Sequence, residues 1–313
     1  MFKNTLDNKR YYTLNCYYKR KYHKKVFKVS LNAGFTCPNK DGKVSTGGCI
    51  FCSSLGSGDF AGDRNLDLVT QFNTIRDMML KKWPDALYIG YFQANTNTYA
   101  NVNILKEKYE TILKLPNVVG LNIATRSDAI SDEVLEYLIE LNKKCDLVIE
   151  LGLQSMHDKT LKFINRGHDL KNFDECVKKL KDNNIKVVAH IINGLPGETK
   201  SMMINTAKHL NDLGIDGVKI HMLHIIENTK LANMYKEKPF HVLTKEEYID
   251  IVISQLEVLN EDIVINRITG DPVKEDLIEP TWLLKKFCVL NDIDKEMVKR
   301  DTYQGKYAKD SRN

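Results

Sequence analysis

No stretch of the 313-residue sequence approaches the ~18 consecutive apolar residues that a membrane-spanning helix needs. The first twelve residues, MFKNTLDNKRYY, lack the apolar run of a secretory signal, so a cytoplasmic protein with no membrane contact is expected. Cysteine is scarce. Seven residues, an odd number, are too few to staple a chain of this size. There is no internal repeat at a period of 20–50 residues and no low-complexity tract, which excludes solenoids and propellers. Disorder is excluded as well, because 42% apolar residues can bury enough surface to offset the ordering entropy.

The net charge of +5 is small but unevenly placed. Residues 1–30 hold nine Lys/Arg and one acid, and residues 295–313 hold six Lys/Arg and three acids. The ends therefore carry +8 and +3, and the 264 residues between them carry −6. A basic segment interleaved with Tyr11, Tyr12, Tyr17, Tyr18, Tyr22 and Phe27 suits either a polyanionic partner or an arm packed on the body.

Short β-branched runs alternate with longer amphipathic ones. Strands are expected at Val29–Phe35, Ala86–Phe92, Val118–Thr125, Asp146–Leu153, Lys186–Ile192 and Gly217–His224. Helical spacing falls at Leu66–Lys82, Asn103–Leu115, Asp132–Lys143, His157–Asn165, Asn172–Asn183 and Ser201–Leu213. Ser131 is the N-cap of the third helix and Gly214 closes the last. Such alternation enforces parallel pairing, in an open doubly wound sheet or in a full or partial TIM-like barrel. Beyond Ile225 the rhythm breaks into helices at Lys245–Leu259 and Thr281–Leu290, with a strand at Ile263–Ile268. The expected division is an arm at 1–27, a core at 28–225 with a cysteine loop at 36–58, and an extension at 226–313.

Three cysteines, Cys37, Cys49 and Cys52, lie in a glycine-rich loop after the first strand, spaced C-x11-C-x2-C. Asp41-Gly42 marks a turn, and Gly47-Gly48 allow the backbone to wrap whatever the thiolates hold. The alternatives are a structural zinc site completed by His23 or a distant ligand, three unrelated thiols, and a [4Fe–4S] cluster with one open iron. The loop follows the carboxyl end of a strand, which is the functional face in both candidate architectures.

The loop, with Cys-Pro-Asn-Lys-Asp-Gly and Gly-Gly-Cys-x-Phe-Cys, resembles the radical S-adenosylmethionine (SAM) superfamily, in its YhcC-like branch. The resemblance extends through Tyr91–Tyr99, Ala124–Asp128, Glu150–Ser155, Asn165–His168, His190–Thr199 and Lys219–His224, over roughly residues 10–290. It implies a partial TIM-like (β/α)6 barrel, an α/β fold, with a basic N-terminal arm and a C-terminal helical extension. It also implies that Cys37, Cys49 and Cys52 hold a [4Fe–4S] cluster whose open iron takes SAM, and that one electron, from a donor such as flavodoxin or ferredoxin, releases a 5′-deoxyadenosyl radical. Phe92-Gln93-Ala94-Asn95-Thr96 stands where the superfamily usually has Gly-Gly-Glu, and eleven residues separate the first two cysteines instead of three.

On this resemblance Phe92, Gln93, Asn95, Thr96, Gln154, Arg166, His190 and Ile192 are the expected SAM contacts, with the turn Gly194–Gly197 closing over adenine. Glu150, His190, Lys219 and His221 are the expected catalytic residues. Glu150 needs a partner if buried. His221 and His224, three apart on a strand, should point to opposite faces, so at most one faces the barrel. Thr98, Tyr99, Arg267, Thr269 and Asp271 are further candidates for substrate contact. The branch resembles enzymes that modify the tRNA wobble uridine, converting a carboxymethylaminomethyl group to aminomethyl, so tRNA near its anticodon is the expected partner. The competing expectations are a radical SAM enzyme acting on a small molecule or peptide, and a non-catalytic zinc-stabilised nucleic-acid-binding protein.

Overall fold

The computed structural model describes residues 2–53, 56, 58 and 60–308. Residues 54, 55 and 57 of the expected 36–58 loop, Met1 of the arm and 309–313 of the extension lie outside the described residues. A short helix, α1 (Leu14–Tyr22), precedes β1 (Val26–Leu31). Five further strands follow: β2 (Leu87–Phe92), β3 (Val118–Thr125), β4 (Asp146–Gln154), β5 (Lys186–Asn193) and β6 (Gly217–Met222). Each pairs in parallel with the next, in chain order. The crossovers carry α2 (Leu68–Leu80), α3 (Val102–Leu113), α4 (Asp132–Asn142), α5 (Asp158–Phe163), α6 (Leu170–Asp182) and α7 (Lys200–Asp212). The side chains of Asp67, Asn101, Ser131, Asp169 and Thr199 cap the N-termini of all of these but α5, satisfying backbone donors that a helix leaves open.

The rest of the chain forms β7 (Ile225–Ile226), α8 (Lys230–Glu237), α9 (Lys245–Val258), β8 (Val264–Arg267), β9 (Leu277–Glu279) and α10 (Lys286–Lys299). β7 and β9 make a small antiparallel pair. β8 joins β6 in parallel, so the extension contributes a seventh strand to the curled half-barrel. The first strand starts earlier than its apolar run suggests and stops at Leu31. The side chain of Gln71 takes the Asn32 N–H, and Gly34 turns into the left-handed region at φ 75°.

Alternation along the strands divides the core from the cavity. On β4, Leu147, Ile149, Leu151 and Leu153 are buried under the helices, while Glu150 and Gly152 face the barrel interior. Burying each such aliphatic side chain is worth ~1.5–3 kcal/mol.

The basic arm is folded into the body. Tyr11, Cys16 and Tyr18 are buried, and Ile265 on β8 donates its N–H to the Tyr12 carbonyl at 2.8 Å. α1 lies across the starts of the strands. Tyr22 donates to Asp146, the first residue of β4, at 2.6 Å, and Lys21 and Lys186 pair with the same carboxylate. Of the nine cations in residues 1–30, five meet acids elsewhere: Lys3 with Glu261, Lys9 with Asp294, Arg10 with Asp301, Lys21 with Asp146 and Lys28 with Glu150. Much of the terminal charge thus answers the acidic middle of the chain. No helix among the described residues is long and apolar enough to cross a membrane.

Candidate active site

A cavity of about 670 Å³ occupies the barrel interior, running from the carboxyl ends of the strands down to α1, where Leu14, Asn15 and Tyr18 form its floor. All three clustered cysteines, Cys37, Cys49 and Cys52, line it. Their loop is built by backbone hydrogen bonds. The Cys37 carbonyl accepts from Lys40 N at 2.8 Å and Asp41 N at 3.2 Å, and the Cys49 carbonyl accepts from Cys52 N at 3.0 Å. Gly47 and Gly48 take φ of 78° and 75°, the left-handed conformation that glycine adopts without strain.

The loop is held from the far side of the barrel. Asn165 donates to the Gly48 carbonyl at 2.8 Å. Asn39 donates to the Asn165 carbonyl at 2.6 Å and faces Cys49 Sγ at 3.6 Å. Arg166, buried, places Nε and one terminal nitrogen on the Gly152 carbonyl at 3.1 and 2.5 Å, and its other nitrogen 3.7 Å from Cys49 Sγ. Its fork is therefore turned to the β4 backbone and the cysteine loop. The hydrogen bond from Cys52, then the guanidiniums of Arg166 and Arg126, draw the Cys49 thiol down to about 5 against the burial that raises it. The same hydrogen bond and burial push Cys52 well up.

These residues fit an anionic, thiolate-bound group. Arg126 lines the cavity, and its guanidinium uses Nε and one nitrogen on Asp128. Its remaining buried nitrogen has no hydrogen-bond partner among the described residues, as does Asn39 Oδ1. Among the described residues no three His, Cys, Asp or Glu side chains gather around one point as ligands of a single ion would. A four-iron cube places its three thiolates on three different irons. His23, the alternative fourth ligand, is the C-cap of α1 at the opposite end of the barrel and is not part of the cavity wall.

Of the eight residues proposed from the sequence as SAM contacts, Gln93, Asn95, Thr96, Gln154, Arg166, His190 and Ile192 line the cavity. The segment after β2 is tied to the cysteine loop: Asn95 N donates to the Gly56 carbonyl at 3.0 Å, and Thr96 N to Thr36 at 3.2 Å. Asn95 and Gln154 hold φ of 61° and 76°, unusual for residues with a side chain. Phe92 is a correction. Its neighbour Tyr91 faces the cavity, so Phe92 faces outward and packs edge-on against Tyr109 in the core. The turn Gly194–Gly197 is likewise absent from the cavity wall; Leu195 is buried beside Ile164, Leu223 and Leu231.

Deeper in the barrel, the four expected catalytic residues come together. Glu150, fully buried, accepts from Lys28 (2.9 Å), Asn122 (2.6 Å), His190 Nε2 (2.8 Å) and Lys219 (2.5 Å). Lys219 also donates to the Tyr91 hydroxyl at 2.9 Å. Burial opposes the Glu150 charge, but Lys219 and Lys28 outweigh it and hold the carboxyl well below its ordinary range. Burial, with the charge of Lys219 beside it, lowers His190 to about 4, so it is neutral. Burial lowers Lys219 to about 7 despite Glu150. The His221 ring lies 5.7 Å from that of His190.

Lys28, Asn122 and Tyr91 were not expected in this network. The lysine in the run Val26-Phe27-Lys28-Val29-Ser30-Leu31 was the available signal, because a charge on the inward parity of a strand needs a partner. His221 and His224 both line the cavity, contrary to strand alternation, because β6 ends at Met222 and frees the next residues from it. Arg267 and Asp271 also line it, whereas Thr98 sits behind the wall residue Thr125, to which it hydrogen-bonds, and Tyr99 and Thr269 do not reach it.

A family model described as the radical SAM superfamily matches residues 41–210, and one described as its C-terminal domain matches 215–299. The chain is 48% identical over 299 residues to Bacillus subtilis YtqA, covering 96% of this chain and 93% of that one. It is 32% identical over 280 residues to Escherichia coli YhcC, covering 88% of each. A tRNA uridine(34) acetyltransferase of Methanocaldococcus infernus is 30% identical over 156 residues, 49% of this chain and 29% of that one. Among solved structures, the archaeal Elp3 of the same organism superposes with a TM-score of 0.68 at 21% identity, over 90% of this chain and 64% of its own length.

Proposed function

This protein belongs to the radical SAM superfamily, in its YhcC-like branch, and on that premise we propose that it modifies the wobble uridine of tRNA, remodelling a carboxymethylaminomethyl group to aminomethyl. It is an enzyme whose cofactors are a [4Fe–4S] cluster and SAM, the pair used throughout the family. Cys37, Cys49 and Cys52 would hold the cluster, and Gln93, Asn95, Thr96, Gln154, Arg166, His190 and Ile192 would surround SAM. When bound, the pair would supply a radical able to take hydrogen from an unactivated carbon, such as the one beside the side-chain nitrogen of a modified uridine; overall the conversion balances when the carboxymethyl carbons leave as glyoxylate, with water supplying the aldehyde oxygen and SAM taking up the two electrons as it becomes methionine and 5′-deoxyadenosine.

The chain's own residues do the positioning. Arg166 and Asn39 fix the Cys49 end of the loop. The cavity walls of β1–β6 enclose the reacting space on several sides, which limits the approach of quenching groups. Glu150, held ionised by Lys28 and Lys219, makes a rigid polar floor, and Lys219 and His221 present donors to the part of the substrate that enters.

The observation that carries the tRNA reading is the 156-residue similarity to a protein whose name places its chemistry on tRNA uridine 34. Mass spectrometry of tRNA nucleosides from a strain lacking this gene tests it. Loss of aminomethyluridine derivatives, with carboxymethylaminomethyluridine accumulating, is the expected result. An unchanged wobble-uridine profile overturns it.

A further inference from the structure

The half-barrel has two strand edges, β1 and β8, and the closure between them is incomplete. α1 bridges them at the amino ends of the strands, where Thr13 pairs with Ile265. Toward the carboxyl ends a second cavity, of about 740 Å³, opens between Ser30 on β1 and Arg267 on β8. It shares Ser30, Phe60, Gln93, Arg267, Gly270 and Asp271 with the barrel cavity, so the two are continuous. Its outer wall is the segment 283–288, where the extension turns into α10.

Two features of this side opening point to a ligand. Phe287 is 72% exposed and Phe60 54% exposed, both on the groove wall. Large aromatic rings grouped in water beside a cavity can serve as binding platforms. The groove is also cationic. Among the described residues Arg267, Lys285 and Lys286 line it against a single carboxylate, Asp271, which already pairs with Lys286 and Arg267. Exposed aromatics interleaved with cations suit a nucleic-acid strand whose bases are unstacked: each ring takes a base face and each cation a phosphate. A SAM-sized ligand fits within a cavity of the barrel's volume alone. The continuous second space is therefore left for the substrate.

Building on the tRNA reading above, we infer that this groove is the entry for single-stranded RNA. An unpaired base stacks on Phe287 and Phe60, Lys285 and Arg267 contact its flanking phosphates, and the base edge reaches the barrel cavity between β1 and β8. The groove favours an unpaired loop over a duplex, because a paired base must first be unpaired and unstacked to enter.

The test uses the anaerobically reconstituted holoenzyme and a fluorescent anticodon stem-loop RNA with uridine at the first anticodon position, compared with a fully paired duplex of the same length. Wild type should bind the stem-loop at least tenfold more tightly than the duplex. Phe287→Ala should weaken stem-loop binding about tenfold, in line with the loss of one stacked base, while Phe287→Trp keeps wild-type affinity. Lys285→Ala should reduce the slope of log K against log salt by about 0.7, one single-strand phosphate contact. Formation of 5′-deoxyadenosine without RNA should be unchanged in all three variants, showing them folded and loaded. If wild type binds the stem-loop but the Phe287→Ala and Lys285→Ala variants bind it within twofold of wild type with the same salt slope, the groove assignment is wrong and the tRNA reading stands. If wild type binds neither RNA, or a peptide ligand occupies the groove instead, both fail.

Discussion

Arg166 joins two parts of the site that are distant in sequence: its guanidinium grips the Gly152 carbonyl on β4 and approaches Cys49 Sγ at 3.7 Å. It therefore fixes the cysteine loop to the barrel wall. Removing an outer partner of a metal ligand lowers metal affinity ~10–100-fold. Arg166→Met should lose iron and sulfide to a chelator far faster than wild type, while Arg166→Lys, which keeps the charge but not the fork, should fall between them. Cys37→Ala should not retain the cluster at all. Iron and sulfide content after a timed chelator challenge measures each.

Glu150 is the shared partner of a buried lysine, Lys219, and a partly buried one, Lys28. Glu150→Gln keeps the shape and some hydrogen bonds but leaves Lys28 and Lys219 without a counter-charge. Breaking a buried pair in this way costs ~3–5 kcal/mol. Denaturant unfolding of the apoprotein should show a loss of that order. Adding Lys219→Met to Glu150→Gln should recover part of it, since the buried charge is removed with its partner. Strictly additive losses would show that the network is not coupled.

Acid stability follows from Asp146 and Glu150. Burial raises both, but the hydrogen bonds of Lys186, Lys21 and Tyr22 hold Asp146 below its ordinary value, and Lys219 with Lys28 holds Glu150 lower still. A carboxylate depressed in the folded state contributes stability that is complete above its unfolded pKa, ~4, and lost as pH falls through the folded value. The apoprotein's melting temperature should therefore fall steeply between about pH 5 and 3. Asp146→Asn should lower it at pH 7 and flatten that fall. It should also expose the α1 segment to proteolysis, because Tyr22 and Lys21 anchor the helix there.

The β/α rhythm was legible because each crossover helix carries its own apolar stripe and a polar N-cap. α1 was not, because Leu14–Tyr22 has a basic, tyrosine-rich composition with a weak stripe, and becomes helical by packing on strand ends supplied much later in the chain. Gln93, Asn95 and Gln154 reach the cavity because each stands at or just after a strand end, a position sequence can locate, while Cys37, Cys49 and Cys52 come from the loop after β1 and Arg166 from the turn between α5 and α6. Phe92 was misplaced by parity, although Tyr91 as the inward residue would have excluded it. The partners of Glu150 were hidden for another reason. Lys28 and Asn122 lie on other strands, 122 and 28 residues away, and only the register of the sheet brings them to one carboxylate. The side groove was beyond reach, because it exists only where the first and last strands fail to meet.

The most direct measurement is turnover of tRNA by the reconstituted enzyme. Incubated anaerobically with SAM, a reductant and tRNA bearing carboxymethylaminomethyluridine, the enzyme should yield aminomethyluridine together with 5′-deoxyadenosine, and Cys37→Ala should yield neither. Formation of 5′-deoxyadenosine at the same rate with and without tRNA, and with every wobble nucleoside unchanged, would contradict the account.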